Sequence, residues 1–155
     1  DNIFIIIRYK NLAWTANFHF KNILDKIKNC ENIIISTNQS EAAYAYKLCA
    51  NADLVVAKHT SVVDECLCHE IPVLIYEYTH SMRGFISEAF DYSDSGLLCY
   101  NFKELLEKSV SLLFDSSNKL KDEISKLNKT IYYVKEKGNI KNKIIKQLEN
   151  LINST

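Results

Sequence analysis

Apolar residues in this chain gather into short, nearly unbroken runs separated by stretches of helical spacing, and the alternation repeats before it loosens. Residues 3–8, IFIIIR, form a continuous β-branched and aromatic run, the pattern of a strand covered on both faces. After a polar turn, WTANFHFKNILDKIKN places Trp14, Phe18, Ile23, Leu24 and Ile27 at helical spacing. NIIIS at 32–36 predicts a second strand. SEAAYAYKLCANA predicts a second helix, with Ser40 as its N-cap and Glu41 in its first turn. DLVVA (53–57), TSVVDECLCHE (60–70) and PVLIY (72–76) predict a third strand, a third helix and a fourth strand.

Strand and helix in strict alternation, with strands this apolar, predict an α/β fold. The expected architecture is a Rossmann-like parallel sheet of about five to six strands with helices on both faces. Residues 77–95 break the rhythm; they are polar, aromatic and irregular, with a short helix expected around 83–90. GLLCY (96–100) predicts a fifth strand. From Phe102 onward the pattern is helical. NFKELLEKSVSLLF has an Asn101 cap and apolar positions at 102, 105, 106, 110, 113 and 114, and two further helical segments, SNKLKDEISKLNK and NIKNKIIKQLENLI, follow. The expected division is a Rossmann-like domain over 1–115 with C-terminal helices, 116–155, packed on it.

Composition narrows the class without naming a ligand. A length of 155 residues suits one domain, and 47% hydrophobic with 25% charged residues is ordinary for a globular protein. Nineteen basic and nineteen acidic side chains cancel, so overall charge gives no reason to expect a nucleic-acid partner. Five cysteines (Cys30, Cys49, Cys66, Cys68, Cys99) show neither a CxxC nor a zinc spacing, and read as small buried hydrophobes of a reducing compartment. No run approaches the ~18 apolar residues of a membrane span. The expected location is cytoplasmic. The late lysines between 119 and 146 belong to solvated helix faces that can also lean on an anionic membrane surface. A start at Asp1, without methionine and directly before a strand, is the pattern expected of a piece of a longer protein.

In parallel α/β sheets ligands bind at the carboxyl ends of the strands, beside helix N-termini. The turn Lys58-His59-Thr60-Ser61 lies at such a place. Backbone N–H groups opening a helix suit a phosphate, and Lys58 and His59 add donors. Equally, Thr60 can serve only as an N-cap, with Lys58 and His59 solvated. Neither GxGxxG nor GxxxxGK[ST] is present, which argues against a dinucleotide fingerprint and a P-loop. Arg8 and Lys10 end the first strand and are candidates for phosphate contact, and Thr37 in STNQS is a candidate for contact with a nucleotide base. Glu77 reads either as a ribose-binding carboxylate or as a strand-end charge. His80 and Arg83 fall in the irregular loop, where binding residues often sit. His19, between Phe18 and Phe20, reads as a core-edge residue; His69 reads as a favourable charge at a helix C-terminus. Tyr44, Tyr46 and Phe114 read as core. No catalytic residue and no metal ligand is assigned.

ADLVVAKHTSVVDECLCHEIPVLIY (52–76) resembles the C-terminal, donor-binding half of GT-B fold glycosyltransferases. It is similar also to the CDP-glycerol glycerophosphotransferase branch among bacterial surface-polysaccharide enzymes. Thr60 and Ser61 match the hydroxyl pair that opens a helix under the donor diphosphate. Glu65 matches the acidic residue that reaches the donor's sugar or ribose, and Pro72 the proline before the next strand. MRGF (82–85) resembles that branch's Arg-Gly-aromatic element. Two features depart from it: Arg8-Tyr9-Lys10 lacks the branch's His-Pro, and Lys58-His59 replaces its Asp-Tyr. The departures favour another sugar-nucleotide enzyme over glycerol phosphate.

The resemblance implies a nucleotide-activated donor, a nucleotide-sugar or CDP-alcohol, as substrate, with no cofactor and no metal. The diphosphate would be neutralised by Lys58, His59 and the helix start. An N-terminal acceptor domain outside this sequence would supply the catalytic base, leaving the fragment alone inactive. The alternative from the residues is a non-catalytic α/β nucleotide-binding or interaction module.

Overall fold

The computed structural model describes residues 3–9, 12–37, 43–58, 60–78, 92, 95–115, 119–131, 145–146 and 149–150. The backbone divides into two compact units, Asp1–Leu48 and Cys49–Thr155, each with its own parallel sheet. The α/β class expected from the sequence is therefore present. The expected single sheet of five to six strands is not: among the described residues five strands form one sheet of two and another of three.

In the first unit β1 (Ile5–Ile7) and α1 (Lys21–Lys28) lead to β2 (Ile33–Ile35), which pairs in parallel with β1, Ile5 opposite Ile33 and Ile7 opposite Ile35. Ser36 N–H closes the ladder by donating to the Ile7 carbonyl at 2.8 Å. Leu24 of α1 is buried, and α1 packs on β2. The helix does not start at Trp14 as its spacing predicts. Two 3-10 turns, Ala13–Ala16 and Phe18–Phe20, come first. Between them Asn17 is extended, and its side-chain oxygen accepts the His19 N–H at 3.0 Å. That local bond competes with the helical one and postpones the helix to Lys21. Phe18 is left 82% exposed, and His19 is exposed rather than at the edge of a core. Ile5 and Ile6 are exposed as well, so β1 is not covered on both faces within its unit.

From the first unit α2 (Tyr44–Ala50) carries the chain into the second, which holds β3 (Val55–Ala57), α3 (Val62–Cys68), β4 (Val73–Tyr76), β5 (Leu98–Cys99), α4 (Phe102–Phe114) and α5 (Lys119–Ile131). The strands run parallel in the order β3-β4-β5, with Val55 opposite Val73 and Ile75 opposite Leu98. Val73, Leu74 and Ile75 are all buried although successive side chains leave opposite faces, so β4 is the twice-covered strand its sequence predicts. Val63, Cys66 and Leu67 of α3, Tyr92, Leu97, Leu98 and Cys99, Leu112 of α4 and Ile124 of α5 complete this core.

Helix ends explain much of the rest. Asn101 is extended and accepts the Glu104 N–H at 2.9 Å, while the Glu104 carboxylate accepts Tyr100 N–H and Asn101 Nδ2 at 2.9 and 2.6 Å. This is the cap expected from the sequence, in reciprocal form. The α4 face was harder to read: Phe102, Leu106, Val110 and Phe114 are exposed, and Leu112 is buried. Lys108 sets that orientation by donating to the carbonyls of Gly96 (2.6 Å) and Leu98 (2.7 Å), which fixes the 105-108-112 stripe inward. Gly96 N–H in turn donates to Glu123 Oε1 of α5 at 2.7 Å.

At its carboxyl end α3 closes with Ile71 N–H on the Cys66 carbonyl (2.8 Å) and Glu70 N–H on that of Leu67 (3.1 Å), around Glu70 at φ 55°. This is a Schellman turn with glutamate where glycine is usual. Asn128 of α5 adds Nδ2 bonds to the carbonyls of Leu67 (2.7 Å) and Cys68 (2.8 Å).

Tyr44 is half-buried, and Tyr46 and Phe114 are exposed, so the last two are not core residues as expected. The expected Ser40–Glu41 cap, the helix around 83–90 and most of the final helical segment lie outside the described residues. Among those described, no helix is long and apolar enough to cross a membrane.

Two substitutions test the end of α3. Glu70→Gly should raise stability by about 0.5–1 kcal/mol, because glycine takes the left-handed conformation without the Cβ clash. Asn128→Ala should lower it by about 1–2 kcal/mol by stripping two carbonyls of a donor. Urea unfolding of both variants against the parent checks the opposite signs.

Candidate functional site

Parallel pairing brings the carboxyl ends of β3, β4 and β5 to one edge of the second unit. β3 delivers Lys58, Thr60 and Ser61; β4 delivers Glu77 and Tyr78. Lys58 Nζ lies 4.1 Å above the centroid of the Tyr78 ring, a cation–π contact that joins the two strand ends. Tyr76 supports Tyr78 from 5.3 Å. Glu77 continues the β4 ladder, its N–H donating to the Cys99 carbonyl at 2.8 Å, and its side chain is fully buried.

The hydroxyls at the turn behave differently from each other. Thr60 Oγ1 accepts Val62 N–H at a long 3.4 Å, so it caps α3 weakly. Ser61 occupies the N-cap position in a helical backbone conformation and makes no side-chain cap bond. Both residues are exposed, as is Glu65 one turn into the helix. The neighbouring acid is the one engaged with the fold: Asp64 Oδ1 accepts the hydroxyl of buried Tyr92 in a short hydrogen bond. Nothing in the local pattern of the sequence pointed to that pair, since 28 positions separate the two residues. His69 sits at the C-cap of α3, exposed, as the dipole argument places it.

On the first unit, the ends of β1 and β2 carry Arg8, Tyr9, Ser36 and Thr37. The Arg8 guanidinium carbon lies 5.4 Å from the Tyr44 ring centroid, and Thr37 is exposed. Trp14 stacks at a tilt on Tyr9 (4.6 Å) and meets Phe20 edge-on (5.6 Å). Four of the expected site residues, Lys10, His59, His80 and Arg83, lie outside the described residues.

The cysteines divide by environment. Cys66 and Cys99 are buried and Cys49 is half-buried, as a packing role demands; Cys30 and Cys68 are exposed, against expectation. Cys68 follows Cys66 by two on a helix and so faces away from it. Burial raises the Cys66 thiol from an ordinary 9.0 to about 12, with the adjacent Cys49 thiol adding to the effect. Burial likewise raises Cys49, against a lowering hydrogen bond with Cys66. At Cys99 burial outweighs the lowering influence of the Lys108 ammonium. Among the described residues no group of three or more His, Cys, Asp or Glu side chains is arranged to hold a metal ion.

Compared with known proteins, the chain matches no protein-family model, no curated protein and no solved structure.

The thiol environments make a two-part prediction. In the native protein at pH 8, Cys30 and Cys68 should react with a chromogenic disulfide well before Cys66 and Cys99. Stability should hold below pH 9 and fall as pH climbs from 9 toward 12, because the unfolded chain then gives up the Cys66 proton that the folded chain keeps. Cys66→Ala should flatten that alkaline slope in urea titrations at several pH values.

Proposed function

We propose that this chain is the donor-nucleotide-binding half of a GT-B-like glycosyltransferase, or glycerophosphotransferase, of bacterial surface-polysaccharide synthesis. The observation that supports the reading is the gathering of Lys58, Thr60, Ser61 and the β4 end at the carboxyl edge of a parallel sheet. A Rossmann-like fold belongs to the same proposal: each unit contains the β-α-β element, β1-α1-β2 and β3-α3-β4, from which such folds are assembled.

In this reading the donor diphosphate rests against the turn before α3. Lys58 supplies a cationic donor there, and His59 and the Thr60 and Ser61 hydroxyls supply further hydrogen bonds. Charge growing on the departing nucleotide is met by groups already in position, which is how an electrostatic site lowers a barrier. Glu65, exposed one turn along, meets hydroxyls of the sugar or ribose. Glu77, the other carboxylate expected to meet sugar or ribose, is wholly buried at the end of β4. The acceptor and the catalytic base belong to a separate N-terminal half in this proposal.

Calorimetry with uridine and cytidine diphosphate donors should detect binding by the complete protein. Thr60→Ala together with Ser61→Ala should weaken it about tenfold or more, the worth of charge-assisted hydrogen bonds. Affinity unchanged by the double substitution would reject the assignment. Absence of any nucleotide-dependent rise in melting temperature would favour a non-catalytic interaction module instead.

A further inference from the structure

α4 is apolar on two sides. Leu112 on its inward stripe belongs to the core of the second unit, and Leu105 packs against that core. A second row, Phe102, Leu106, Val110 and Phe114, lies outside it, with 66%, 53%, 47% and 55% of these residues exposed. Exposed hydrophobes scattered singly are ordinary, but four at a spacing of i, i+4 form one continuous ridge along a helix. The helix cannot roll to hide that ridge. Lys108 is tied to the carbonyls of Gly96 and Leu98, and the Asn101–Glu104 cap fixes the first turn. With both phenylalanines more than half exposed, the ridge offers on the order of 400 Å² of apolar surface.

We propose that the outer ridge of α4 is a self-association surface, on which a second copy of this chain docks its own α4 antiparallel about a two-fold axis. The ridge is its own complement. Read from either end it runs aromatic, aliphatic, aliphatic, aromatic. An axis between Leu106 and Val110 therefore sets Phe102 beside Phe114 of the second copy, and Leu106 beside Val110 of the second copy. Two such i, i+4 ridges interdigitate at a crossing angle of about −50°, the commonest helix packing. A two-fold contact brings the same surface patch together from both copies, so any unbalanced charge would oppose itself. Here the charges of α4 are balanced. Lys103 and Glu107 pair across one turn at 3.9 Å, Glu104 serves the cap, and Lys108 is turned inward. With no basic excess beside the ridge, nothing draws it to an anionic membrane surface. The area also fits, at about half of the ~800 Å² that each partner brings to a standard interface, with polar neighbours as the rim. This surface does not depend on the reading of Thr60 and Ser61.

Sedimentation equilibrium of the full chain across the micromolar range tests the pairing. Mass should rise reversibly from one chain to two as concentration increases. Leu106→Glu with Val110→Glu should weaken the dimer at least about tenfold, because like charges then meet at the centre of the contact. At concentrations where the parent is monomeric, its circular dichroism and urea midpoint should match the parent's, since both side chains are exposed. Thr60→Ala with Ser61→Ala should dimerise like the parent, so failure of the donor assignment leaves this one standing. Orientation is read with a short bismaleimide in a Cys30→Ser, Cys68→Ser background. Phe102→Cys mixed with Phe114→Cys should give a covalent dimer. Either variant alone should not, because positions 102 and 114 lie about 18 Å apart along the helix, which also separates each from its own copy. A monomer at every concentration, a dimer that the double substitution leaves intact, or equal cross-linking of each variant with itself would overturn the assignment. A monomer that sediments with phosphatidylglycerol vesicles, and ceases to in the double variant, would overturn it in favour of a membrane contact.

Discussion

A strand covered on both faces and paired along both edges can show nothing of itself except its ends. β4 is such a strand: Val73, Leu74 and Ile75 are buried in succession, β3 and β5 take its edges, and α3 and α4 pack on it. Polar residues follow directly where the strand ends, Glu77 buried and Tyr78 exposed. The same pressure sorts the thiols. Cys66 and Cys99 belong to this core, where burial raises both thiols, while Cys30 and Cys68 lie outside it and face solvent.

Legibility followed the range of the interaction concerned. The strand-helix rhythm, the buried character of β4 and the Asn101 cap depend on neighbours within a few residues, and all three could be read from the sequence. So could the placing of Lys58, Thr60 and Ser61 at a strand end, since an apolar run followed by a polar turn and a helix leaves little choice. Features that depend on distant partners were hidden. The α4 face is turned by Lys108 reaching back to the Gly96 and Leu98 carbonyls, so apolar spacing alone pointed at Phe102, Leu106 and Phe114. The Tyr92–Asp64 bond and the Asn128 bonds to α3 leave no mark in any local window. Two local effects were missed for a different reason. Asn17 diverts the chain into 3-10 turns by a bond to His19 N–H, and Glu70 takes a left-handed turn without the glycine that usually announces one. The division into two sheets is not a property of any window either, because apolar runs show that strands exist and not which ones pair.

The two rims differ in their chemistry. On the second unit, exposed hydroxyls and an exposed carboxylate follow the end of a strand that also carries an ammonium. On the first, two enclosed polar atoms among the described residues, the donor Trp14 Nε1 and the donor-acceptor Ser36 Oγ, have no hydrogen-bond partner within the protein. Hydroxyls at 60 and 61 stood out in the sequence because they interrupt an apolar pattern. Ser36 did not, since a serine at the end of a strand is ordinary until its enclosure is known.

Asn128 finishes α3 from a distance of 61 and 60 residues along the chain, at Leu67 and Cys68. On a ribosome, where synthesis runs from the N-terminus, the helix under the proposed donor seat is made long before the side chain that secures its carboxyl end. Until α5 emerges, the Leu67 and Cys68 carbonyls must rely on water and on the strained turn at Glu70. A chain truncated before α5 would thus retain every residue assigned to the seat while lacking the clasp that fixes the far end of its helix. This contact can therefore close only after α5 has been made, across a long stretch of chain.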